Sequence, residues 1–256
     1  MIVDRETRPF VRAPRLPALT ALALAATLTA AAVALAPGPT TPPPTAASPA
    51  APSPSSPAPS PTQDSADVPR VVNGRVQPTP LPIPRRASGR YRTAPGTAKA
   101  RGGTGSLIRY TVEVEDGLPY GPAEFAAAVH TILNDPRGWA RFERVPSGPA
   151  RLQVSLTSPA ETRRRCRPLD VGLRLSCFQN GRAVINADRW ATGAPSYRAD
   201  VATYREYLIN HEVGHGLGHG HAACPGPGRR APVMVQQTKS LFGCRPGPWP
   251  HPDRDL

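Results

Sequence analysis

The sequence predicts one α+β domain at the end of a long non-globular N-terminal part, and three observations carry that prediction. Most of the 35 prolines in the 256 residues fall before residue 100. Beyond that point, period-two and helix-period apolar patterns alternate. The apolar content of 39% and aromatic content of 5% are modest for a chain folded throughout. A domain of about 150 residues lies within the usual range for one hydrophobic core. The expected organisation is an export signal or N-terminal membrane anchor over 1–36, a disordered Pro/Ala/Ser/Thr linker over 37–68, and a basic, mostly disordered segment over 69–104. A folded domain over 105–250 and a tail over 251–256 follow.

Leu16 to Ala36 contains no charged residue, and Arg5, Arg8, Arg12 and Arg15 precede it. A basic start before an apolar run reads as an export signal. At about 1.5 Å per residue the run is also long enough to span a bilayer, so cleaved signal and retained anchor both stand. If it is retained, the arginines keep the N-terminus cytoplasmic and the domain outside. From Pro37 to Gln63 the chain has no charge and little besides Pro, Ala, Ser and Thr. Such a stretch favours extended polyproline II and could reach roughly 80 Å, a spacer suited to cell-wall association.

The folded elements follow in order. Ile108 to Glu115 (IRYTVEVE) alternates as a half-buried strand does. Gly121 to Leu133 places Phe125, Val129 and Ile132 at helical spacing, with Pro122 near the start. Arg141–Val145 and Leu152–Ser158 read as strands. Gly172–Phe178 and Ala183–Asp188 read as two more, flanking an Asn180-Gly181 hairpin signal. Asp200 is a good N-cap for a final helix on which Val201, Tyr204, Leu208, His211 and His215 form one stripe. Five strands and two main helices are therefore expected, with part of Gly89–Ala94 pairing onto the domain.

Cys166, Cys177, Cys224 and Cys244 all lie beyond the export signal, and an even count in an exported chain favours disulfides. Three pairings are possible; proximity favours 166–177 and 224–244. A four-cysteine zinc site lacks the C-x-x-C knuckle it would need. The formal net charge is +13, and residues 1–36 carry four arginines against two acids, so the remainder carries +11. Much of it falls in 70–101, which has no interleaved aromatics; a solvated basic tether is expected, and no nucleic-acid partner.

The chemistry concentrates in His211-Glu-Val-Gly-His-Gly-Leu-Gly-His-Gly-His221. Histidines four apart lie on one face of a helix, so His211 and His215 can share an ion, and Glu212 beside them can take a proton from a zinc-activated water. Gly218 lets the chain leave the helix sharply, which allows His221 to return as third ligand. Three protein ligands with one open position characterise catalytic rather than structural zinc. His219 would replace His221 only if the helix continued past Gly218. A His/Gly-rich chelating tract without catalysis is the plainer possibility, but it has no need of Glu212. Requiring the glycine and third histidine makes chance occurrence rarer by roughly a thousandfold than for H-E-x-x-H alone. His130 falls on the first helix's apolar pattern and reads as core or support.

The full H-E-x-x-H-x-x-G-x-x-H motif resembles the signature of the metzincin zinc endopeptidases. That resemblance implies a minimal metzincin-like domain with a mixed, twisted sheet, a single zinc ion, and a methionine turn beneath it, for which Met234 in APVMVQQ is the candidate. It also implies that the fourth strand is an edge lying antiparallel to bound peptide. With the 166–177 pairing, that edge would be tied to its loop; with 224–244, a loop would close around Met234. More closely, YTVEVEDGLP, DPRGWA, INADRW, YREYLINHEVGHGLGHGH and APVMVQQTKSL resemble an actinobacterial family of exported proteins of unknown function with a metzincin-type motif. Several metzincin families carry a tyrosine two residues after the turn methionine; here Gln236 stands there, leaving Gln236, Gln237 and Arg189 as candidates to stabilise an oxyanion. The expected function is an extracytoplasmic zinc peptidase, secreted or membrane-anchored, monomeric and acting on a peptide or protein substrate. The alternatives are a non-catalytic metal-binding envelope module and a zinc amidase on peptidoglycan peptides.

Overall fold

The computed structural model describes residues 69–254. The expected signal or anchor and the linker up to residue 68 lie outside them; among the described residues no helix is long and apolar enough to cross a membrane. The elements are β1 (Val71–Val72), β2 (Arg75–Val76), β3 (Tyr91–Thr93), β4 (Leu107–Glu115), α1 (Pro122–Leu133), β5 (Arg141–Arg144), β6 (Leu152–Thr157), α2 (Pro159–Arg165), β7 (Cys177–Gln179), β8 (Arg182–Asn186), α3 (Ala187–Thr192) and α4 (Val201–Gly216). The class is α+β, as expected.

Six strands form one mixed sheet only five positions wide, because β3 and β5 share an edge of β4. β5 runs parallel to the first residues of β4, whereas β3 runs antiparallel to its last three. Next come β6 and β8, both parallel, and then β7, antiparallel and at the other edge. The alternation read in β4 is realised: Ile108, Tyr110, Val112 and Val114 are buried in the main core. On its opposite face Glu113 and Glu115 are also buried, but satisfied. Glu113 accepts from Ser155 Oγ at 2.7 Å and pairs with Arg182, while Glu115 accepts the Ser158 and Gly89 N–H groups at 2.7 and 2.8 Å. α1 packs Phe125, Val129 and Ile132 into the same core, and Asp200 caps α4 by accepting the Thr203 N–H at 3.1 Å.

Three expectations need correction. Gly172–Phe178 is a strand only from Cys177 onward, because Gly172 takes a left-handed φ of +54° and donates its N–H to Asp170 Oδ1 at 3.1 Å, turning the chain. The strand expected to run to Asp188 stops at Asn186, whose side chain accepts the Asp188 N–H at 3.0 Å and starts α3. Both α3 and α2 are too short to display a helical period.

The third correction concerns 69–104, expected to be mostly disordered. Asn73 and Gly74, both at positive φ, turn a small β1–β2 hairpin. It is held to α4 by Asn73 Nδ2 donating to Asp200 at 2.9 Å, by the Arg75–Glu206 pair at 2.7 Å, and by Gln77 Oε1 accepting the Ala202 N–H at 3.0 Å. Leu81, Ile83 and Ala87 pack on the core and Ala94 is buried. Proline fixes φ without preventing such packing; short apolar residues between prolines supply the contacts. The pairing expected within Gly89–Ala94 is present as β3.

Candidate metal centre

α4 carries His211 and His215 one turn apart, and its end determines where His221 can go. Gly218 N–H donates to His215 O and His219 N–H to Gly214 O, each at 3.0 Å, with Gly218 at φ +98°. This is a Schellman ending, which requires a left-handed residue just past the helix. The chain therefore turns back after Gly218, as its sequence position implied, and ligand atoms of His211, His215 and His221 lie within 4.8 Å of one another. His219 is not in this group: its ring stacks on Trp139 with centroids 4.1 Å apart. His130 is half-buried, bonded to Tyr110 Oη and to Lys99 O.

Two contacts out of reach of sequence spacing orient the rings. His211 Nδ1 is 2.9 Å from Val233 O, and His215 Nδ1 is 2.9 Å from His219 O. A carbonyl can only accept, so each Nδ1 carries the proton and each Nε2 keeps its lone pair free, as metal-bound imidazoles require. Burial pushes His211 down to about 3, keeping it neutral at any ordinary pH. The donor set, three imidazole nitrogens on one side, fits zinc.

Val233 belongs to a tight turn closed by Val235 N–H donating to Pro232 O at 3.0 Å, and Met234 is buried within it. The turn is joined to the third histidine's segment through Ala222 N–H and Met234 O at 3.0 Å. Gly214 has a reason in this packing: a Cβ there would lie 2.6 Å from Met234 Sδ and 3.0 Å from the Trp139 ring. Gly216 lets α4 approach the sheet, since its Cβ would meet Phe178 at 2.6 Å and Leu152 at 2.7 Å. The disulfides are Cys166–Cys177 and Cys224–Cys244. The first ties the start of β7 to the end of α2, and the second closes a loop containing Met234. Both point to an oxidising environment.

The three histidines open into a cleft of about 440 Å³ that Glu212 also lines. Glu212 is buried, and burial pushes its carboxyl up to about 8. A cation next to it would draw that value back down. The apolar wall is formed by Leu169, Val171, Leu175 and Phe178, and β7 borders the cleft. Of the three oxyanion candidates, only Gln236 lines it. Gln237 is fully buried and engaged by Tyr197 and Gly247. Arg189 is buried and bonds to Arg174 O and Gly193 O.

Residues 77–252 match a protein family of unknown function, DUF3152. That is most of the chain, and the chain belongs to this family. A search of curated proteins finds no match.

Proposed function

We propose that this family member is an extracytoplasmic zinc-dependent endopeptidase of metzincin type, in which His211, His215 and His221 hold the ion and Glu212 moves the proton. The observation that carries this reading is the convergence of three ring nitrogens within 4.8 Å in the cleft that Glu212 lines. With the short α2 and α3 set aside, the order from β4 onward of strand, helix, strand, strand, edge strand, strand, motif helix supports the metzincin comparison, as do the turn at Met234 and the chain reversal at Gly218. A bound zinc ion supplies Lewis acidity, polarising a carbonyl and making a water acidic enough to attack near neutral pH.

The remaining work belongs to the chain. Glu212 takes a proton from the attacking water and gives it to the amine nitrogen as the C–N bond breaks. β7, an edge strand three residues long, offers its free side to an extended substrate backbone. The apolar wall receives a substrate side chain, and the Gln236 amide is the candidate donor to the oxyanion. The Cys-paired fold suits secretion or display outside the cell; a linker and an N-terminal segment as read from the sequence would set its distance from a membrane or wall.

Glu212→Ala is the test. The variant is expected to retain zinc and to lose cleavage of an unstructured protein such as casein by at least about a hundredfold. Unchanged cleavage would remove Glu212 from the reaction. Activity on purified cell wall with none on casein would move the reading to a zinc amidase.

A further inference from the structure

The basic segment before residue 105 is docked rather than free, and its arginines meet those of α2. Arg85, Arg86, Arg163, Arg164 and Arg167 line one concavity of about 610 Å³. The two contributing segments are fastened together by Ala160 N–H donating to Arg85 O at 2.9 Å and Ala87 N–H donating to Ser158 Oγ at 3.3 Å. The backbone positions of the two arginine-bearing segments are thus fixed relative to each other. Glu161, the acid lining the concavity, is already engaged by Arg164 and by Arg165. Among the described residues, Arg85, Arg86, Arg163 and Arg167 are exposed and form no ion pair.

One loop contributes residues both to this concavity and to the metal cleft. The loop closed by Cys166–Cys177 turns Arg167 and Leu173 toward the arginines, and Leu169, Val171 and Leu175 toward the histidines. Guanidinium groups favour carboxylates and phosphates through paired N–H donors. A polypeptide running along the cleft passes beside this loop, so an acidic stretch of the same polypeptide is the anion best placed to reach the arginines. We infer that the arginine concavity is a second substrate-binding site, which takes a carboxylate-rich stretch of the polypeptide whose scissile bond lies in the cleft. The link to cleavage rests on the hydrolytic reading; the binding of an acidic chain does not.

The experiment uses the full, zinc-loaded chain and a fluorescein-labelled oligoglutamate, followed by anisotropy. Arg85→Glu with Arg163→Glu should weaken binding roughly tenfold or more. The matched reversal Arg151→Glu with Arg254→Glu, in another arginine-lined hollow, should change it less than about twofold. Equal loss in both pairs would mean general attraction to a basic protein and would overturn the inference. So would capture of inorganic polyphosphate or phosphatidylglycerol vesicles without capture of oligoglutamate. In a second arm, two unstructured substrates differ only in a Glu-rich or Gly/Ser flank. The parent should show the lower KM on the acidic one, and the Arg85/Arg163 reversal should erase that difference with kcat unchanged; equal KM values in the parent would overturn the inference. If the parent cleaves neither substrate while arginine-dependent binding persists, hydrolysis fails and the anion site stands.

Discussion

Inside α4, Gly214 and Gly216 run against helix propensity, since alanine at an open helical position would be favoured by up to about 1 kcal/mol. Packing reverses that sign here. The Phe178 and Leu152 side chains close on Gly216 from the sheet, so Gly216→Ala should destabilise the domain by about 1–3 kcal/mol in urea denaturation. A gain in stability would show that α4 stands further from the sheet. The histidines and Glu212 were legible in the sequence because their relation is local: one helical turn, then a glycine that ends it. The carbonyls of Val233 and His219 that fix the ring orientations were not legible, because side-chain spacing says nothing about where a backbone oxygen will arrive. His219 illustrates the same limit, since its stacking on Trp139 depends on a residue some eighty positions away in the chain.

Short elements were read less well than long ones, for physical reasons visible in each. β4 and α4 run long enough to show their periods. α2 has no period to show, yet Ser158-Pro159-Ala160-Glu161 is the pattern of a helix start, and Asn73-Gly74 is a hairpin signal set in a proline-rich surrounding. That hairpin gives Asp200 a second role. Burial alone would raise its carboxyl, but donors from Asn73 and Thr203 outweigh burial and hold it below the ordinary value of about 3.8. A carboxyl lowered on folding adds stability above its unfolded pKa and loses it as pH falls through the lower folded value. Asp200→Asn, which can still cap α4, should therefore destabilise the domain at neutral pH, with the difference narrowing below about pH 4 in thermal melts. A pH-independent difference would contradict the assignment. Around Met234, replacing Cys224 and Cys244 by serine should cost about 3 kcal/mol of stability, measured by denaturant titration against the intact disulfide.

At the scale of the molecule, the boundary expected at residue 105 is too late. The segment before it supplies strand β3, the buried Ala94, and the cover formed by Leu81 and Ile83. A chain begun at residue 105 should lack a cooperative thermal transition, whereas one begun at residue 69 should melt cooperatively; equal transitions would show that the segment contributes nothing to folding. Composition hid this because proline and arginine mark solvated chain on average, while a few spaced apolar residues are enough to dock it. The same docking turns what reads as a basic tether into one wall of an arginine-lined hollow beside the cleft. The three histidines carry the proposed activity, and zinc content measured together with cleavage tests that centre most directly. One zinc per chain is expected, lost with activity on chelation, restored with it by one equivalent of zinc, and absent in His221→Ala. Cleavage that survives chelation, or a His221→Ala chain that still holds a full equivalent of zinc, would contradict it.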